Sequence, residues 1–532
     1  PSEELRQQCL RDVVAHCIYG VDKNPMAVEL CKVALWIEAI EPGKPLSFLD
    51  AHIQCGDSLV GVFDPKVLGQ GIPDEAYKPL TGDDKTICTS LKKENASFRK
   101  AGQKGTLQGT LNLQGCPPIS RSQQRLQEIE AMPETTLAEG SAKQAAYETW
   151  EQERSSDPQS LAADLYTAAF FLPKTQASRS KVPTTQHLLL LQSGQEIPGD
   201  LELVVEQAAR DFRFFHWHLR FGEVMEKGGF DCVLGNPPWE KSVILEKEFF
   251  ESRLTGLEPS MNKSQRSAVI DQQRQLNSLL YQEFEQAKKS AEATSVFIRS
   301  SNRYMLSNSG EANYYPSFFE LFLDSSGLRG SIGIIVPTGI VADDSNKRIA
   351  TYVGKSNRLS LFLDFFNKEP IFKGVSSNLS FCLLTLCSRE SKLESSVFAC
   401  KLRKTEDAAD HTRLYTMTSF DLRLLSPNTG TFSVIASKED KDIVVKLHRL
   451  NEYLSPDSLP EKSNKDSHWN PRFGNMFHMT GDSSMFYTED AIHAAGGKIE
   501  PEDWVGSFDG ADLHPLYESK LVDSNNYRYS TF

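Results

Sequence analysis

The sequence predicts an α/β fold: a sheet of short, mainly parallel strands, interrupted by a long helical insertion. Three observations predict it. A short apolar run, His16–Asp22, ends in an acidic residue and passes at once into a helix signal. A second set of short apolar runs, each bounded by Gly, Pro, Asn or Ser, begins only at Phe230. Between them, from 61 to 225, the chain is polar and helix-rich, broken by Gly/Gln and Ser/Thr/Pro segments. Strands that alternate with helical stretches are the grammar of parallel sheets.

The elements follow in order. His16–Asp22 reads as a buried strand. Asn24 is suited to cap the next helix and Pro25 to enter its first turn. Ala27, Cys31, Ala34 and Leu35 fall on one face of that helix at helical spacing, and Pro42-Gly43 ends it. His52–Gly56 is a second short strand, leading to Asp57. The insertion over 61–225 contains segments such as Lys100–Gln114 and Lys174–Gln186, loops too long for the interior of a compact core. Its last stretch, Val205–Arg220, carries Phe212, Phe214, Phe215 and Trp217 and is expected to dock it back on the core. Strands resume at Phe230–Leu234. A polar helical stretch covers 245–300, followed by Ile332–Val336, Leu361–Phe365 and Phe381–Leu386. After 400 the chain mixes strand signals with turn residues and reads as the start of a separate domain. The expected division is therefore 1–60, first part of a core; 61–225, insertion; 226–400, second part of the core; and 401–532, a mixed α/β domain.

Composition narrows the function. A chain of 532 residues is too long for one core, and about two to four domains are expected. With 39% apolar and 24% charged residues it is neither a membrane protein nor a disordered one. No apolar run approaches the roughly 20 residues of a membrane-spanning helix. A net charge of −13 excludes a protein that coats nucleic acid by charge alone, while leaving room for a local basic groove. The 10 cysteines form no CxxC pair and no His pair stands at zinc-finger spacing, so buried thiols of a cytoplasmic protein are expected and no metal site. Cys17, Cys232 and Cys382 lie in apolar runs. Pro1 is followed by no leader of the charged-then-apolar kind, and Tyr527–Phe532 ends strand-like, so both ends read as cut.

Asn236-Pro237-Pro238-Trp239 is the sharpest feature. It directly follows a strand, at the carboxyl edge where open α/β sheets bind ligands. Two prolines stiffen the loop and remove two N–H donors. The Asn236 side-chain oxygen beside the Pro237 carbonyl then offers two acceptors to one amino group. Trp239 adds a flat surface for a planar base brought out of its helix stack. The plainer account of Asn-Pro-Pro is a stiff turn. Asp22 ends a strand before a helix, where a carboxylate accepts both hydroxyls of a ribose; the plainer account is a helix-capping acid. Asp57, in Cys55-Gly56-Asp57-Ser58, ends the next strand and is a candidate for the base of the same nucleoside, or else a turn aspartate.

These residues resemble the N6-adenine DNA methyltransferases of the gamma arrangement, in particular the large type IIG-like restriction-modification and phage-defence enzymes. The blocks that carry the resemblance are Ile18–Leu30, Gln54–Gly61, Phe230–Glu240, Gly333–Asp344, Leu363–Asn367, Ile371–Phe381 and Pro515–Lys520, in matching order over most of the chain. The resemblance implies a Rossmann-like class I methyltransferase sheet interrupted by the insertion, then part of a target-recognition domain. It implies S-adenosylmethionine as cofactor and double-stranded DNA as partner. Asp22 would bind the cofactor ribose, Asp57 its adenine amino group, and Asn236 would border it. Asn236 and the Pro237 carbonyl would accept hydrogen bonds from the target amino group, with Pro238 fixing the loop and Trp239 stacking on the flipped base. Phe372 is the candidate for the second stacking ring. Phe381 is the fallback, better explained as a core strand residue.

The implied chemistry is direct in-line transfer. The exocyclic nitrogen is a poor nucleophile because its lone pair is delocalised; accepting hydrogen bonds returns density to it, so positioning matters more than acid/base catalysis. No covalent cysteine is needed, and Cys116-Pro117-Pro118 reads as a turn. The family's Gly-rich cofactor loop, expected about one strand–helix unit before Ile18, is not found. The chain by itself is thus expected to bind S-adenosylmethionine weakly or not at all, and the missing part or other defence-system subunits are expected partners. Nine Lys/Arg against seven Asp/Glu over 401–450, with Arg413, Tyr415, Arg423 and Arg449, suggest phosphate contacts or a solvated surface equally. Two other readings stay open: a methyltransferase acting on protein glutamine or RNA, and a non-catalytic DNA-recognition subunit.

Overall fold

A computed structural model of the chain describes residues 2–103, 121–154, 157–251, 253–254, 263–276, 278–308, 313–369, 371–450, 486–494, 498–500, 505–508 and 511–513. Contacts divide the chain into two units, Pro1–Glu452 and Tyr453–Phe532.

The first unit opens with helix α1 (Glu3–Cys17), capped by the Ser2 hydroxyl accepting from the Leu5 amide at 3.3 Å. The expected strand from His16 is therefore shorter: β1 is Gly20–Asp22 alone. The apolar residues before it end a helix whose Val14 and Ala15 face inward. Helix α2 (Pro25–Glu38) begins as expected, with the Asn24 side chain accepting from the Met26 amide and Pro25 in the first turn. Its buried face is not the expected one. Val28, Lys32 and Ala39 are buried, whereas Cys31 and Ala34 are exposed. The reason is Lys32, whose ammonium pairs with Asp50 at 2.7 Å and Glu29 at 2.9 Å while its stem lies inside. A rotated helix leaves Met26 at 73% and Leu30 at 68% exposure. Strand β2 (Ile53–Cys55) pairs in parallel with β1, and among the described residues these two form a sheet of their own.

The insertion is helical: α3 (Lys85–Gln103), α4 (Arg121–Glu130), α5 (Leu137–Arg154), α6 (Pro158–Phe171), α7 (Thr185–Gln192), α8 (Gly199–Phe212), α9 (Trp217–Arg220) and α10 (Gly222–Glu226). Helix α6 is apolar on nearly every side and is the centre of the largest core, with Ala163, Leu165 and Phe170 fully buried. The segment after α8 lies against the chain leaving β2. The Phe215 amide donates to the Val60 carbonyl at 2.9 Å, and the Trp217 indole donates to the Ser58 carbonyl at 3.0 Å. A β-carbon on Gly61 would sit 2.2 Å from the Phe215 carbonyl oxygen, so only glycine fits there.

Strand β3 (Phe230–Gly235) is followed by α11 (Glu246–Glu251), α12 (Lys263–Gln275), α13 (Leu279–Ser300) and α14 (Tyr314–Ser325). Then come β4 (Ser326–Pro337), α15 (Gly339–Ala342), α16 (Lys347–Lys355), β5 (Leu359–Phe366), β6 (Ser380–Leu386), β7 (Ser395–Leu402), β8 (Tyr415–Thr418), α17 (Ser419–Leu425) and α18 (Lys438–Leu450). The six strands β3 to β8 form one sheet in the order β3-β4-β6-β5-β7-β8. In place of one mainly parallel sheet, these strands form a parallel pair and a mixed sheet. β6 and β8 run against their neighbours. β3, β4, β5 and β7 all point one way.

The expected change of domain at 401 falls inside this sheet, because β7 runs through it and β8 pairs with β7. The turns over 403–414 join β7 to the edge strand β8. Of the expected buried thiols, Cys382 is fully buried, but Cys17 ends α1 exposed and Cys232 is exposed on β3. In the second unit, α19 (Glu489–Ala494) precedes an antiparallel sheet of β9 (Lys498–Glu500), β10 (Val505–Phe508) and β11 (Ala511–Leu513). Pro515–Lys520, the closing segment and Cys116 lie outside the described residues.

Candidate active site

Four strands running one way deliver four chain segments to a single edge of the sheet. β3 leads into Asn236–Trp239, β4 into Thr338, β5 into Asn367, and β7 ends at Lys401–Arg403. This carboxyl edge is where open α/β sheets take ligands. Here it borders a cleft of about 820 Å3, lined by Trp239, Asn313, Thr338, Asp364, Lys401 and Arg403 among others. That volume suits a small planar ligand.

The Asn236–Trp239 loop is shaped by its neighbours. At Gly235 a β-carbon would approach the Phe322 ring to 2.6 Å, which fixes the chain's exit from β3. Pro237 is buried; Asn236 is exposed, and its side-chain amide makes no hydrogen bond among the described residues. Its oxygen is therefore free to accept. Trp239 is half-buried and anchored by its indole N–H, which donates to the Ile335 carbonyl at 3.3 Å. Phe381 lies 5.6 Å from it at an interplanar angle of 32°, and Phe372 stands 5.5 Å away nearly perpendicular, at 79°. Phe381 belongs to β6 and is only 2% exposed, a core position. Phe372 is half-buried in a loop held by Asn367. The Asn367 amide donates to the Phe372 and Val375 carbonyls at 3.1 Å each, and its oxygen accepts from the Phe372 amide at 3.2 Å. Asn367 is itself fully buried.

The two acidic candidates stand together at the ends of β1 and β2. Asp22 is exposed, and one of its oxygens accepts from the Asn24 amide at 2.7 Å. Asp57 accepts from the Leu59 amide at 3.1 Å and pairs with Lys23 at 2.8 Å. Both carboxylates thus make the turn contacts of their plainer accounts, and the second oxygen of Asp22 accepts no hydrogen bond among the described residues. Tyr314 links this pair to the Asn236 loop. Its amide donates to the Glu240 carbonyl at 3.3 Å, and burial together with the Asp57 and Glu240 carboxylates pushes its phenol up to about 12.

Sequence reasoning missed the far wall of the cleft. Asp364 is 2% exposed, accepts from the Thr338 hydroxyl at 2.5 Å and from the Lys401 amide at 3.0 Å. Burial pushes its carboxyl up against the pull of those donors. The acid in Leu363–Asn367 was the available signal, but nothing local separated it from a strand-end residue. Of the residues proposed over 401–450, Tyr415 is buried and donates to the Ile435 carbonyl at 2.8 Å, and Arg449 pairs with Asp421 at 3.0 Å. Those two belong to the packing of the unit. Among the described residues no group of three or more His, Cys, Asp or Glu is placed to hold a metal ion, and no helix is long and apolar enough to cross a membrane.

Comparison with known proteins adds the family. The Eco57I restriction-modification methylase family matches residues 16–289, more than half of the chain, and the chain belongs to it. The matched span holds Asp22, Asp57 and Asn236–Trp239. A protein of Methanocaldococcus jannaschii, described as a type II restriction enzyme and methyltransferase, is 22% identical over 258 residues, 46% of this chain. The match spans 20% of the length of that curated relative. Among solved structures, the methyltransferase subunit of a type I restriction-modification system from Streptococcus thermophilus matches with 10% identity and a TM-score of 0.15, over 50% of this chain and 45% of its own. A type I modification subunit from Vibrio vulnificus matches with 11% identity and a TM-score of 0.24, over 84% of this chain and 91% of its own. Scores of that size carry no argument about the site.

Proposed function

We propose that this member of the Eco57I restriction-modification methylase family takes part in transferring a methyl group from S-adenosylmethionine to the N6 amino group of adenine in duplex DNA, within a restriction-modification or phage-defence system. The observation that carries the reading is the Asn236-Pro237-Pro238-Trp239 loop at the carboxyl end of β3, with the Asn236 side chain exposed and Trp239 lining an aromatic cleft. Class I Rossmann-like character belongs to this proposal, supported by the four strands that share one direction.

The residues fit the cofactor's chemistry: Asp22 keeps one carboxylate oxygen uncommitted for a ribose hydroxyl, and Asp57 lies beside it. S-adenosylmethionine would supply a sulfonium that yields its methyl group as the C–S bond breaks, with neutral S-adenosylhomocysteine as the leaving group. The chain does the positioning. Asn236 Oδ1 and the Pro237 carbonyl accept the two N–H groups of the adenine amine and hold its nitrogen toward the methyl donor. Trp239 gives one face of the base an apolar wall, Phe372 closes a second side, and Asn367 fixes Phe372. Pro238 keeps the loop from relaxing. A base on two aromatic walls is cheap to hold out of the duplex.

The test uses the full-length protein, unmethylated duplex DNA and methyl-labelled S-adenosylmethionine, with digestion to nucleosides. Label is expected on N6-methyladenine. Label on protein or RNA with none on adenine would overturn the reading. Asn236→Ala is expected to remove transfer while leaving cofactor binding nearly unchanged, and Asp22→Ala chiefly to weaken the cofactor.

A further inference from the structure

The end of β7 carries a distortion that the reading above does not use. Leu363 pairs with Ala399, but Phe365 pairs with Leu402, so Cys400 and Lys401 together face Asp364 alone. This is a β-bulge, a device that re-aims side chains and gathers near functional sites. Its second residue, Lys401, has φ of 56°, a left-handed conformation that a lysine adopts only when held. It is held from both sides. The Lys401 amide donates to buried Asp364 at 3.0 Å, and the Arg413 guanidinium donates to the Lys401 carbonyl at 3.3 Å.

The bulge directs two cations to one place. Lys401 and Arg403 flank buried Leu402, and both line the Trp239 cleft and an adjoining depression of about 410 Å3. Lys404 and Arg413 also line that depression, but each is answered by a carboxylate: Glu369 at 3.4 Å and Asp407 at 3.0 Å. Neither Lys401 nor Arg403 has a carboxylate within salt-bridge distance among the described residues. A chain with net charge −13 thus places two cations with no ion pair among the described residues beside its aromatic cleft, where the field of buried Asp364 reaches Lys401.

From this geometry we infer that Lys401 and Arg403 seat a backbone phosphate of the DNA strand next to the base presented to Trp239. The inference rests on the DNA reading above. A nucleotide drawn out of the stack brings its flanking phosphates to the rim of the pocket that receives it. A guanidinium grips such an anion with paired N–H groups, and an ammonium adds a mobile charge. Asp364 acts at one remove, as the positioning residue that locks the bulge.

The test is binding, not turnover. Full-length protein is titrated against a fluorescein-labelled duplex by anisotropy over a series of salt concentrations. The double variant Lys401→Gly/Arg403→Ser is expected to lower the slope of log K against log salt by about 0.9 for one shared phosphate and about 1.8 for two. Lys401→Arg/Arg403→Lys is expected to retain the slope, and Lys92→Ser/Lys93→Ser, at exposed positions of α3, to leave it unchanged. Glycine suits the left-handed backbone, so Lys401→Gly is expected to melt no lower than the wild type, which separates lost binding from lost folding. A double variant with the wild-type slope and affinity overturns the inference alone. A wild-type protein with no salt-dependent binding to duplex overturns the DNA reading and the inference with it.

Discussion

The helical segment 61–225 and the carboxyl edge of the sheet place their polar side chains differently. In the insertion several buried polar groups near Val62 and Trp150 are paired with one another, although Arg154 Nε, over the Trp150 ring, makes no hydrogen bond. His216 Nδ1 accepts from the Val62 amide at 2.9 Å, which leaves its Nε2 to donate to Asp164 at 2.9 Å. His218 Nδ1 meets the Val62 carbonyl at 3.1 Å, and Trp150 donates to the Ser122 carbonyl at 2.7 Å. At the sheet edge, the side chains of Asn236, Lys401 and Arg403 are exposed and have no such partner among the described residues. The difference teaches a division of labour. Groups satisfied internally stabilise a fold; exposed groups at an edge that borders a cleft are available to a ligand.

Substitutions break or sharpen that contrast. Trp150→Ala is expected to have the largest effect on stability, about 3–5 kcal/mol, because it empties a site only 1% exposed; urea unfolding reads it. At the sheet edge Asn236→Ala should do the reverse. Transfer to adenine should fall by roughly 100-fold or more, the scale for losing one preorganised hydrogen-bonding group, while the melting temperature stays put. A large drop in melting temperature would erase the contrast.

Acid sharpens it further. Burial, with His216 nearby, pushes the His218 imidazole down to about 3 from an ordinary value near 6.5. Above the ordinary value the ring is neutral in both states. As pH falls below it, the unfolded chain takes up a proton that the folded chain refuses. Stability is then lost at up to about 1.4 kcal/mol per pH unit. Urea midpoints taken at steps of acidity just below the ordinary histidine range should show this slope, and His218→Gln should flatten it. The smallest expected effect is Lys401→Gly, a gain of about 1 kcal/mol from relieving the left-handed backbone. A loss of that size would mean that the lysine stem packs, and the strain argument would fail.

Much of this arrangement was legible. Asn24 and Pro25 announce a helix start through chemistry that acts over two residues. Asn236–Trp239 follows a strand whose apolar run and flanking glycines lie within the same few residues. The helical character of 61–225 declared itself by composition. Reading failed where a distant partner overrode a local pattern. Lys32 turned α2 by pairing with Asp50, a residue from another segment. Cys17 and Cys232, expected inside, were left outside by helix and strand faces that composition does not assign.

By itself, then, the sequence determined the α/β class, the helical character of 61–225 and the loop that carries Asn236 and Trp239, because caps, prolines and apolar periods work through neighbours in the chain. Tertiary structure alone decided that β3, β4, β5 and β7 share a direction, that Asn367 holds Phe372, and that Asp364 sets the bulge at Lys401. Each of these depends on which strand lies beside which, and in what register. A register between strands is fixed by the packing of the whole sheet and is written in no single segment.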